Sequence, residues 1–528
     1  MIEEITLYDR EHVKVFSERP KNLTAVLQNS VQRYKDRNAI VTENQTYTYE
    51  ELDTLSSRIA SNLHHYCEVE KGDRVAAIIG NRSEFPLVVL ACAKIGAILV
   101  PINVKLTSDE MSYILGHSQV KVVISEENQM NKLEEIRMKN AKALPNKENV
   151  FEIDGVNSFT RLLEPNRLFT DVEVEELDPL FILYTSGTTG RPKGAVITHI
   201  NVIHSLLNYQ RTFQTNSQTT TLIAVPMFHV TGLVGQLLHM IYVGGTCYTM
   251  DRYQNRKYIE YIQANKINFL FNVPTIFLMM STDETFRQMN FDFVTKVAFG
   301  GSPIYQQTFN MLKEAFPHAE LHNAYGATET TSPATLMPIT YDESKVTSVG
   351  RSVPVGDIKI MNANREECAL EEVGELYIKG PMVIKEYWKN PEANQKNFTD
   401  GYWHSGDLGM MDRDGFIYIR DRIKDMINHG GEKIFSIEVE DILKKHELIK
   451  EAAVIGVPDT LYGEKVKAYI VSDHLTADDA SLIKSHCSQY LAKYKVPEVY
   501  RFVSELPKNA SGKIMKHALK TDKGELPC

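Results

Sequence analysis

The sequence predicts an α/β protein: a large N-terminal domain of several subdomains, with mainly parallel sheets flanked by helices, and a small mobile α+β C-terminal domain. Two observations lead to this prediction. Apolar runs of strand length alternate with amphipathic stretches of helix length through most of the chain, which is the pattern of parallel sheets covered by helices. Near residue 420 the alternation stops, and the remaining residues carry strands and helices of their own, enough for a small domain.

The individual elements follow in order along the N-terminal part. Apolar runs predict strands at residues 74–79, 97–102, 120–124, 180–183, 221–225, 269–273 and 296–299. Helical periodicity predicts helices at residues 86–96, 201–213 and 256–264. Residues 126–148 are polar and rich in lysine and asparagine, so we expect an exposed excursion there.

The C-terminal part has its own pattern. Helices are predicted at residues 437–446 and 478–492, with strands at residues 451–455 and 465–471 between them. We therefore predict a domain at residues 1–419, a hinge at residues 420–425 and a small mobile domain at residues 426–528.

Size and charge limit the class of protein. A chain of 528 residues exceeds one ordinary core, and 43% hydrophobic with 24% charged residues is typical of a soluble globular protein. A net charge of −10 argues against a nucleic-acid surface. The six cysteines form no closely spaced pairs, which favours reduced thiols in a cytoplasm and no zinc site.

Neither the N-terminal residues nor the most apolar stretch of the sequence predicts an export signal or a membrane span. The first four residues are acidic and lack an apolar core, unlike a signal peptide. The most apolar stretch, residues 85–102, contains Lys94, Gly96 and Pro101, which favours a buried helix followed by a buried strand over a membrane span. We expect no integral membrane association.

The most informative segment is YTSGTTGRPKG at residues 184–194, directly after a predicted buried strand. Glycine lets backbone N–H groups turn towards an anion, hydroxyls add donors, and lysine adds a compact positive charge. The spacing differs from a Walker A loop. We predict that this segment is a loop that binds the phosphates of a nucleotide. The alternative interpretations are a surface connector and some other kind of phosphate loop. The candidate ligands of the predicted loop are Thr185, Ser186, Gly187, Thr188, Thr189, Gly190 and Lys193.

Two further segments offer nucleoside and metal ligands. In HNAYGATET at residues 322–330, Tyr325 can stack on a purine and Glu329 can hold Mg²⁺, although a core tyrosine and a surface glutamate are the ordinary alternative. In GYWHSGD at residues 401–407, Asp407 can accept hydrogen bonds from both ribose hydroxyls, although Gly-Asp is also a common turn. Gly301 and Ser302 follow a predicted strand, where ligands bind in α/β sheets.

Three segments lie at or beyond the predicted domain change. RDRIKD at residues 420–425 is a charge run that in most proteins is a solvated face. The paired glycines of NHGGEKI at residues 428–434 permit close approach of a ligand. In LPKNASGKI at residues 506–514, Lys513 on a flexible turn suits an electrostatic role, although a solvated tail lysine is the common alternative.

The loop at residues 184–194 resembles the signature of the adenylate-forming enzymes, which include acyl-CoA synthetases, adenylation domains of peptide synthetases and luciferases. The later motifs occur in the family's order, so the resemblance covers nearly the whole chain, and it is greatest to acyl-CoA synthetases and fatty-acid–CoA ligases.

The resemblance implies roles for individual residues. Thr328 contacts the α-phosphate, Asp407 the ribose, and Arg422 the ribose and phosphate, while Lys424 is the hinge residue. The acid-pocket segment of the family matches VPMFHVTG at residues 225–232, where His229 is equally compatible with gating an acyl or thiol path and with a structural role. An enzyme that activates an amino acid needs a buried anion facing the ammonium group, and the family members that do so carry an aspartate in this region. Residues 227–231 contain none, which favours a fatty or aryl acid. The implied catalytic residues are Lys513, Thr185, Glu329 and His229, and the implied metal ligands are Glu329 and Thr185. The implied nucleotide and CoA contacts also include Gly301, Ser302, Asn323, Tyr325, Gly326, Gly430 and Gly431, the last two along the pantetheine passage.

The resemblance implies an ATP-dependent acyl-CoA ligase with Mg²⁺ as cofactor and CoA as co-substrate. It would activate a carboxylic acid, a fatty acid in the first instance, as acyl-AMP with release of pyrophosphate, and then transfer the acyl group to CoA. The alternative acceptor is the phosphopantetheine of an acyl carrier protein. A catalytically silent relative that only binds nucleotide or acyl-adenylate is a hypothesis of another class, disfavoured by the joint presence of Lys513, Glu329 and Asp407. Nothing points to a luciferase. We expect a cytoplasmic monomer or homodimer.

Overall fold

The computed structural model describes residues 1–155, 158–165, 172–185, 191–508 and 513–520. Its first large sheet is parallel over most of its width and antiparallel at one side. Within the described residues its strands lie in the order Glu386–Tyr387, Lys193–Thr198, Pro179–Thr185, Ile98–Pro101, Arg74–Ile78, Val122–Glu126 and Val150–Ile153.

The second large sheet is parallel in the middle and antiparallel at both edges. In the part of the chain that the structure describes, its strands lie in the order Arg351–Ser352, Thr335–Leu336, Glu320–Tyr325, Lys296–Gly300, Phe269–Asn272, Thr220–Ile223, Thr246–Thr249, Asn38–Val41 and Thr46–Thr48. A separate antiparallel hairpin, Ile2–Leu7 with Arg10–Phe16, precedes both sheets.

Helices cover the two large sheets. In chain order the helices of this part are Leu23–Tyr34, Tyr49–His65, Glu84–Ile95, Ser108–Ser118, Met130–Lys139, Thr160–Leu163, His199–Phe213, the π-helix Thr231–Leu238, His239–Val243, Asn255–Asn265, Pro274–Ser281, Glu284–Gln288, Gln306–Ala315 and Pro391–Asn397.

The first sheet is buried on both faces, as its strands' apolar character predicts. In strand Arg74–Ile78, Val75 and Ala77 point into the largest apolar cluster, whereas Ala76 and Ile78 point into a second cluster on the other face. The largest cluster also takes in residues of the second sheet, such as Phe269. The two large sheets and their helices therefore share one core.

A third, antiparallel sheet continues the large part of the molecule. Its strands Asp357–Met361, Gly374–Lys379, Tyr402–Met411 and Phe398–Thr399 are neighbours in this order, and Ile417–Arg422 pairs with Tyr402–Met411. These described strands pair in antiparallel fashion.

The C-terminal residues form a sheet with its own apolar clusters. Strands Glu432–Ile434, Ile427–His429, Gly463–Val471 and Glu451–Asp459 lie in this order, with Val499–Phe502 parallel to Gly463–Val471. Helices Ser436–Lys444, Ala480–Ser488 and Lys516–Lys520 accompany them. The predicted hinge at residues 420–425 begins within the last strand of the third sheet, Ile417–Arg422, and continues towards the C-terminal sheet. The exact division into domains stays a prediction.

The predicted fold class is confirmed: two largely parallel sheets with helices, followed by a smaller mixed α and β part. Two local predictions need correction. The excursion at residues 126–148 contains helix Met130–Lys139, which buries Leu133 and Ile136 against the second apolar cluster. The last predicted helix is shorter, Ala480–Ser488. No helix among the described residues combines the length and the apolar character needed to cross a bilayer.

Candidate active site

Two neighbouring parallel strands of the second sheet bring the site together. Strands Lys296–Gly300 and Glu320–Tyr325 run side by side, so the loops after them leave the same edge of the sheet. A Cβ on Gly300 would lie 2.3 Å from the carbonyl oxygen of Ala324, so only glycine allows the strands to end this close. Gly301, with φ +80°, then turns the chain away. Gly301 and Ser302 therefore follow the end of a strand, as predicted, and this strand lies beside the one that ends at Tyr325.

The nucleoside candidates form a group of three joined by one ion pair and one hydrogen bond. Asp407 and Arg422 are directly opposite each other on adjacent strands of the third sheet. Arg422 Nε lies 3.0 Å from Asp407 Oδ1 in an ion pair, and the Tyr325 hydroxyl donates to Asp407 Oδ2 at 2.7 Å. The Asp407 carboxylate raises the pKa of Arg422, and burial followed by the same carboxylate raises the pKa of Tyr325. The two partners thus fix the orientation of a buried carboxylate.

The metal candidate Glu329 lies in a second group. It is 8% exposed, on the single helical turn Thr328–Thr330. Its Oε1 lies 3.5 Å from the Thr185 hydroxyl and accepts a hydrogen bond of 2.9 Å from the Tyr387 hydroxyl. The Lys193 ammonium sits 4.4 Å above the centre of the Tyr387 ring. Burial lowers the pKa of Lys193, and the charge of Glu329 opposes this.

Sequence reasoning missed Tyr387 entirely. It is 1% exposed, and Trp403 Nε1 donates to its hydroxyl at 3.1 Å, so the ring is fixed from two sides. In the sequence it is one aromatic residue before Trp388 and Lys389, with no spacing that suggests chemistry. Only the pairing of strand Glu386–Tyr387 with strand Lys193–Thr198 brings it to Glu329.

Glu329 and Thr185 fit the needs of Mg²⁺. This ion prefers oxygen ligands and in nucleotide sites takes one or two carboxylates together with phosphate oxygens and water. Among the described residues there is no group of three or more His, Cys, Asp and Glu side chains that could hold a metal by themselves. The donor set at Glu329 is suited to an ion that arrives with a polyphosphate.

Charges of the nucleoside group act on Lys513, although this lysine belongs to the last part of the chain. Burial lowers its pKa to about 8; the charges of Arg422 and Lys424 act in the same direction, while those of Asp407 and Asp425 oppose it. These charges come from the third sheet and the predicted hinge. Lys424 itself is exposed, and its carbonyl oxygen accepts a hydrogen bond of 3.1 Å from Lys520 Nζ.

His229 occupies an apolar turn before the π-helix. Burial lowers its pKa to about 4, so the ring is neutral near pH 7. Its Nε2 atom is buried, and no described residue forms a hydrogen bond with it. A buried ring nitrogen without a partner costs free energy. His199 and His404 share this feature, so the role of His229 stays a prediction.

The other predicted residues are distributed as follows. Asn323 is buried, and its amide donates to the Ser348 carbonyl oxygen at 2.9 Å, which gives the side chain a structural contact. Gly326 and Thr328 flank Glu329 on the loop after strand Glu320–Tyr325. Gly430 and Gly431 form the turn between strands Ile427–His429 and Glu432–Ile434, with φ of +60° and +92°. Ser186, Gly187, Thr188, Thr189 and Gly190 lie outside the described residues.

Comparisons with known proteins identify the family. Residues 27–388 match the family model of the AMP-binding enzymes, and residues 438–513 match the model of the AMP-binding enzyme C-terminal domain. The first model covers well over half of the chain. The chain therefore belongs to the AMP-binding enzyme family.

Similar proteins of known activity are CoA ligases. A long-chain-fatty-acid–CoA ligase of Mycobacterium tuberculosis is 32% identical, over 90% of this chain and 92% of its own length. A 2-succinylbenzoate–CoA ligase of Bacillus licheniformis is 33% identical, over 92% and 96%. The solved o-succinylbenzoate CoA synthetase of Bacillus subtilis, bound to its acyl-adenylate intermediate, superposes with a TM-score of 0.84 at 28% identity, over 96% and 99% of the two chains.

The predicted class, an AMP-forming acid–thiol ligase of the acyl-CoA synthetase kind, is confirmed by these relatives. The same Bacillus subtilis synthetase has also been solved with ATP and a magnesium ion, at 29% identity, which agrees with the predicted use of ATP and Mg²⁺ with CoA as co-substrate. The acids of the relatives differ, and the roles of the individual residues stay predictions.

Proposed function

We propose that this enzyme activates a fatty acid as acyl-AMP and transfers the acyl group to CoA, using the residues gathered around Asp407, Glu329 and Lys513. The observation that carries the proposal is the position of Lys513. The ammonium of this lysine, from the last part of the chain, is within the electrostatic influence of Asp407 and Arg422 on the third sheet. A positive charge near the carboxylate that is proposed to hold the nucleoside is suited to stabilise the negative charge of the adjacent phosphates during the reaction.

In the first half-reaction the carboxylate of the acid attacks the α-phosphorus of ATP, and pyrophosphate leaves. Alignment and charge stabilisation are the main contributions that a protein can make to such a transfer. Asp407 and Tyr325 would hold the nucleoside, and Lys513 with Lys193 would balance the charge of the phosphates. Bound at Glu329 and Thr185, Mg²⁺ would neutralise phosphate charge and orient the leaving group.

In the second half-reaction the thiol of CoA attacks the acyl carbonyl carbon, and AMP leaves. Lys513 serves only the first step and would obstruct the approach of the second acceptor. We infer that the small domain turns about Lys424 between the steps and presents the Gly430–Gly431 turn to the pantetheine arm. The enzyme uses one adenylate site with two faces of the small domain.

The acid is proposed from the surroundings of His229. Val225, Met227, Phe228 and Val230 are buried apolar side chains, and no carboxylate lies among residues 225–232 to pair with an ammonium group. These surroundings favour a fatty acid, and an aryl acid is the runner-up because relatives act on 2-succinylbenzoate and ferulate. An acyl carrier protein is the alternative acceptor. Cytoplasmic location and a monomeric or homodimeric state stay predictions.

A panel of acids tests the substrate and the acceptor together. AMP formation would be measured with fatty acids from two to eighteen carbons and with benzoates, each with CoA and with a phosphopantetheinylated carrier protein. We expect CoA-dependent AMP formation with a subset of the fatty acids. Turnover only with the carrier protein would replace CoA as acceptor, and activity confined to benzoates would replace the fatty acid.

A substitution of Lys513 tests whether this lysine serves only the first half-reaction. Lys513→Ala should lower acid-dependent pyrophosphate exchange by about a hundredfold or more, because a desolvated charge at the phosphates is lost. Supplied with preformed acyl-adenylate, the variant should still make acyl-CoA. Lys508→Ala is the matched control, since Lys508 pairs with Glu451 at 2.6 Å within the small domain. An equal loss in both half-reactions would contradict the assignment.

A further inference from the structure

One helix of the small domain, Ser436–Lys444, connects the hinge region with the large domain. At its first turn, Asp421 Oδ1 accepts a hydrogen bond of 3.0 Å from the Ser436 hydroxyl, and the Ser436 backbone N–H also donates to Asp421. Lys516 Nζ donates to the same hydroxyl at 2.6 Å and pairs with Glu440 at 2.7 Å. The beginning of the helix is therefore fixed to the strand before the hinge and to the segment that follows Lys513.

The other end of the helix reaches the large domain. The Lys444 ammonium lies 3.7 Å from the centre of the Tyr305 ring. Tyr305 directly precedes helix Gln306–Ala315 and ends the loop that carries Gly301 and Ser302. The lysine thus covers an aromatic ring on a loop at the carboxyl edge of the second sheet, three residues beyond a predicted nucleotide contact.

This contact is desolvated. Burial lowers the pKa of Lys444 to about 8, while the charges of Glu440 and Asp441 favour its charged form. Burial also raises the pKa of Tyr305, as do the charges of Glu440 and Asp441. An ammonium over an aromatic face is held more strongly when water is excluded than at an exposed site. The pair joins residues of the two predicted domains, so any rotation of the small domain about residues 420–425 must break it.

We propose that Tyr305 and Lys444 form an orientation latch, which holds the small domain with Lys513 at the nucleoside group during the first half-reaction. The latch rests on the proposed function, since it assumes two half-reactions with different orientations of the small domain. Both residues are positioning residues. Because Tyr305 ends the loop of Gly301 and Ser302, nucleotide that orders this loop also stabilises the latched orientation.

The experiment compares both half-reactions in Tyr305→Leu, Lys444→Met and the double variant. Each single change should lower acid-dependent ATP–pyrophosphate exchange about tenfold, because the latched orientation becomes less populated. Acyl-CoA formation from supplied acyl-adenylate should stay the same or rise. The double variant should lose no more exchange than the larger single loss, since either change alone already breaks the contact.

Two matched variants serve as controls. Tyr305→Phe keeps the ring and should retain the exchange rate of the parent protein. Lys445→Met removes the adjacent lysine of the same helix end, whose ammonium lies over Tyr490 at 5.4 Å within the small domain, and should change neither half-reaction. If Tyr305→Leu fails to fold by thermal melt, Lys444→Met and Tyr305→Phe still decide the outcome.

Additive losses in the double variant, equal losses in both half-reactions, or unchanged exchange in folded Lys444→Met would each overturn the latch. The same measurements distinguish failure of the proposed function from failure of the latch. If the proposed function is wrong, the parent protein itself would lack acid-dependent exchange or acyl-CoA formation, whereas failure of the latch is visible only in the variants.

Discussion

At the scale of single residues, the geometry around Glu329 suggests how one carboxylate can serve a metal. One of its oxygen atoms accepts the Tyr387 hydroxyl at 2.9 Å, which limits rotation of the carboxylate. Tyr387 in turn accepts from Trp403 and lies below Lys193. A ligand held in this way loses little conformational freedom when it binds an ion.

This arrangement predicts graded changes in the magnesium dependence. Glu329→Gln removes the charged ligand, and half-maximal pyrophosphate exchange should need about tenfold or more free Mg²⁺. Tyr387→Phe keeps the ring and removes only the hydroxyl, so the shift should go the same way and be smaller. Both are measured as initial rates against free Mg²⁺ at fixed ATP.

Tyr402→Phe is the control for the tyrosine. Its hydroxyl donates to Asp357, within the third sheet, and its loss should leave the magnesium titration unchanged. An unaltered titration in Glu329→Gln would remove Glu329 from the metal site. A Tyr387→Phe curve identical to that of the parent protein would show that the hydroxyl does not position the carboxylate.

At the scale of elements, helix Glu84–Ile95 is the clearest case of an element explained by burial. Every side chain from Phe85 to Ile95 is buried, and Gly96 ends the helix with φ of +65°. A helix that is apolar all round must lie inside a large protein or a membrane, and the interruptions at Lys94, Gly96 and Pro101 favoured the protein interior. Lys94 Nζ is paired with Asp53 at 2.5 Å, which compensates its burial.

Truncation of this helix should therefore be costly. Leu87 is fully buried, and Leu87→Ala should lower the free energy of unfolding by about 2–5 kcal/mol through lost transfer free energy and a cavity. Leu482→Ala, at a side chain of the small domain that is 49% exposed, should change it by less than about 0.5 kcal/mol. Urea unfolding followed by circular dichroism measures both, and similar midpoints for the two variants would contradict the packing argument.

At the scale of the whole molecule, Lys444 of the small domain contacts Tyr305 of the large one, and the charge of Asp407 acts on Lys513. Both belong to a single orientation of the small domain, because Asp407 and Tyr305 are on the large-domain side. In the proposed mechanism, the two half-reactions at one adenylate use two orientations of the small domain. The segment between the third sheet and the C-terminal sheet is short, so a change of backbone angles there can move the whole domain.

Stiffening this segment should separate the two half-reactions. Proline fixes φ near −65° and removes a backbone donor, so Lys424→Pro should hold the small domain near one orientation. If the orientation with Lys513 at the site is retained, pyrophosphate exchange persists, while transfer to CoA falls by about tenfold or more. Thermal melting should change little.

Lys424→Ala is the matched control and should keep both half-reactions, since alanine leaves φ free. Equal losses in both half-reactions of a folded Lys424→Pro protein would mean that residue 424 is not the pivot. Full thioester formation in that variant would contradict the moving domain itself.

By itself, the sequence determined the fold class, the positions of most strands and the family. Apolar runs such as residues 180–183 and 296–299 are local patterns, and burial on both faces of a parallel sheet makes them continuous. The helix Met130–Lys139 was missed because only Leu133 and Ile136 of this charged segment are buried. A helix with so few apolar residues on its buried face has nearly the same sequence pattern as an exposed loop.

Tertiary structure alone decided how the site residues combine. Tyr325 and Asp407, predicted as separate ligands, form one hydrogen-bonded unit across 82 residues, and Tyr387 reaches Glu329 across 58. The contact between Tyr305 and Lys444 likewise joins two predicted domains. Such pairs follow from which strands lie side by side and how the domains meet. No local pattern encodes them, because a side chain's spacing along the chain says nothing about its partner across a sheet.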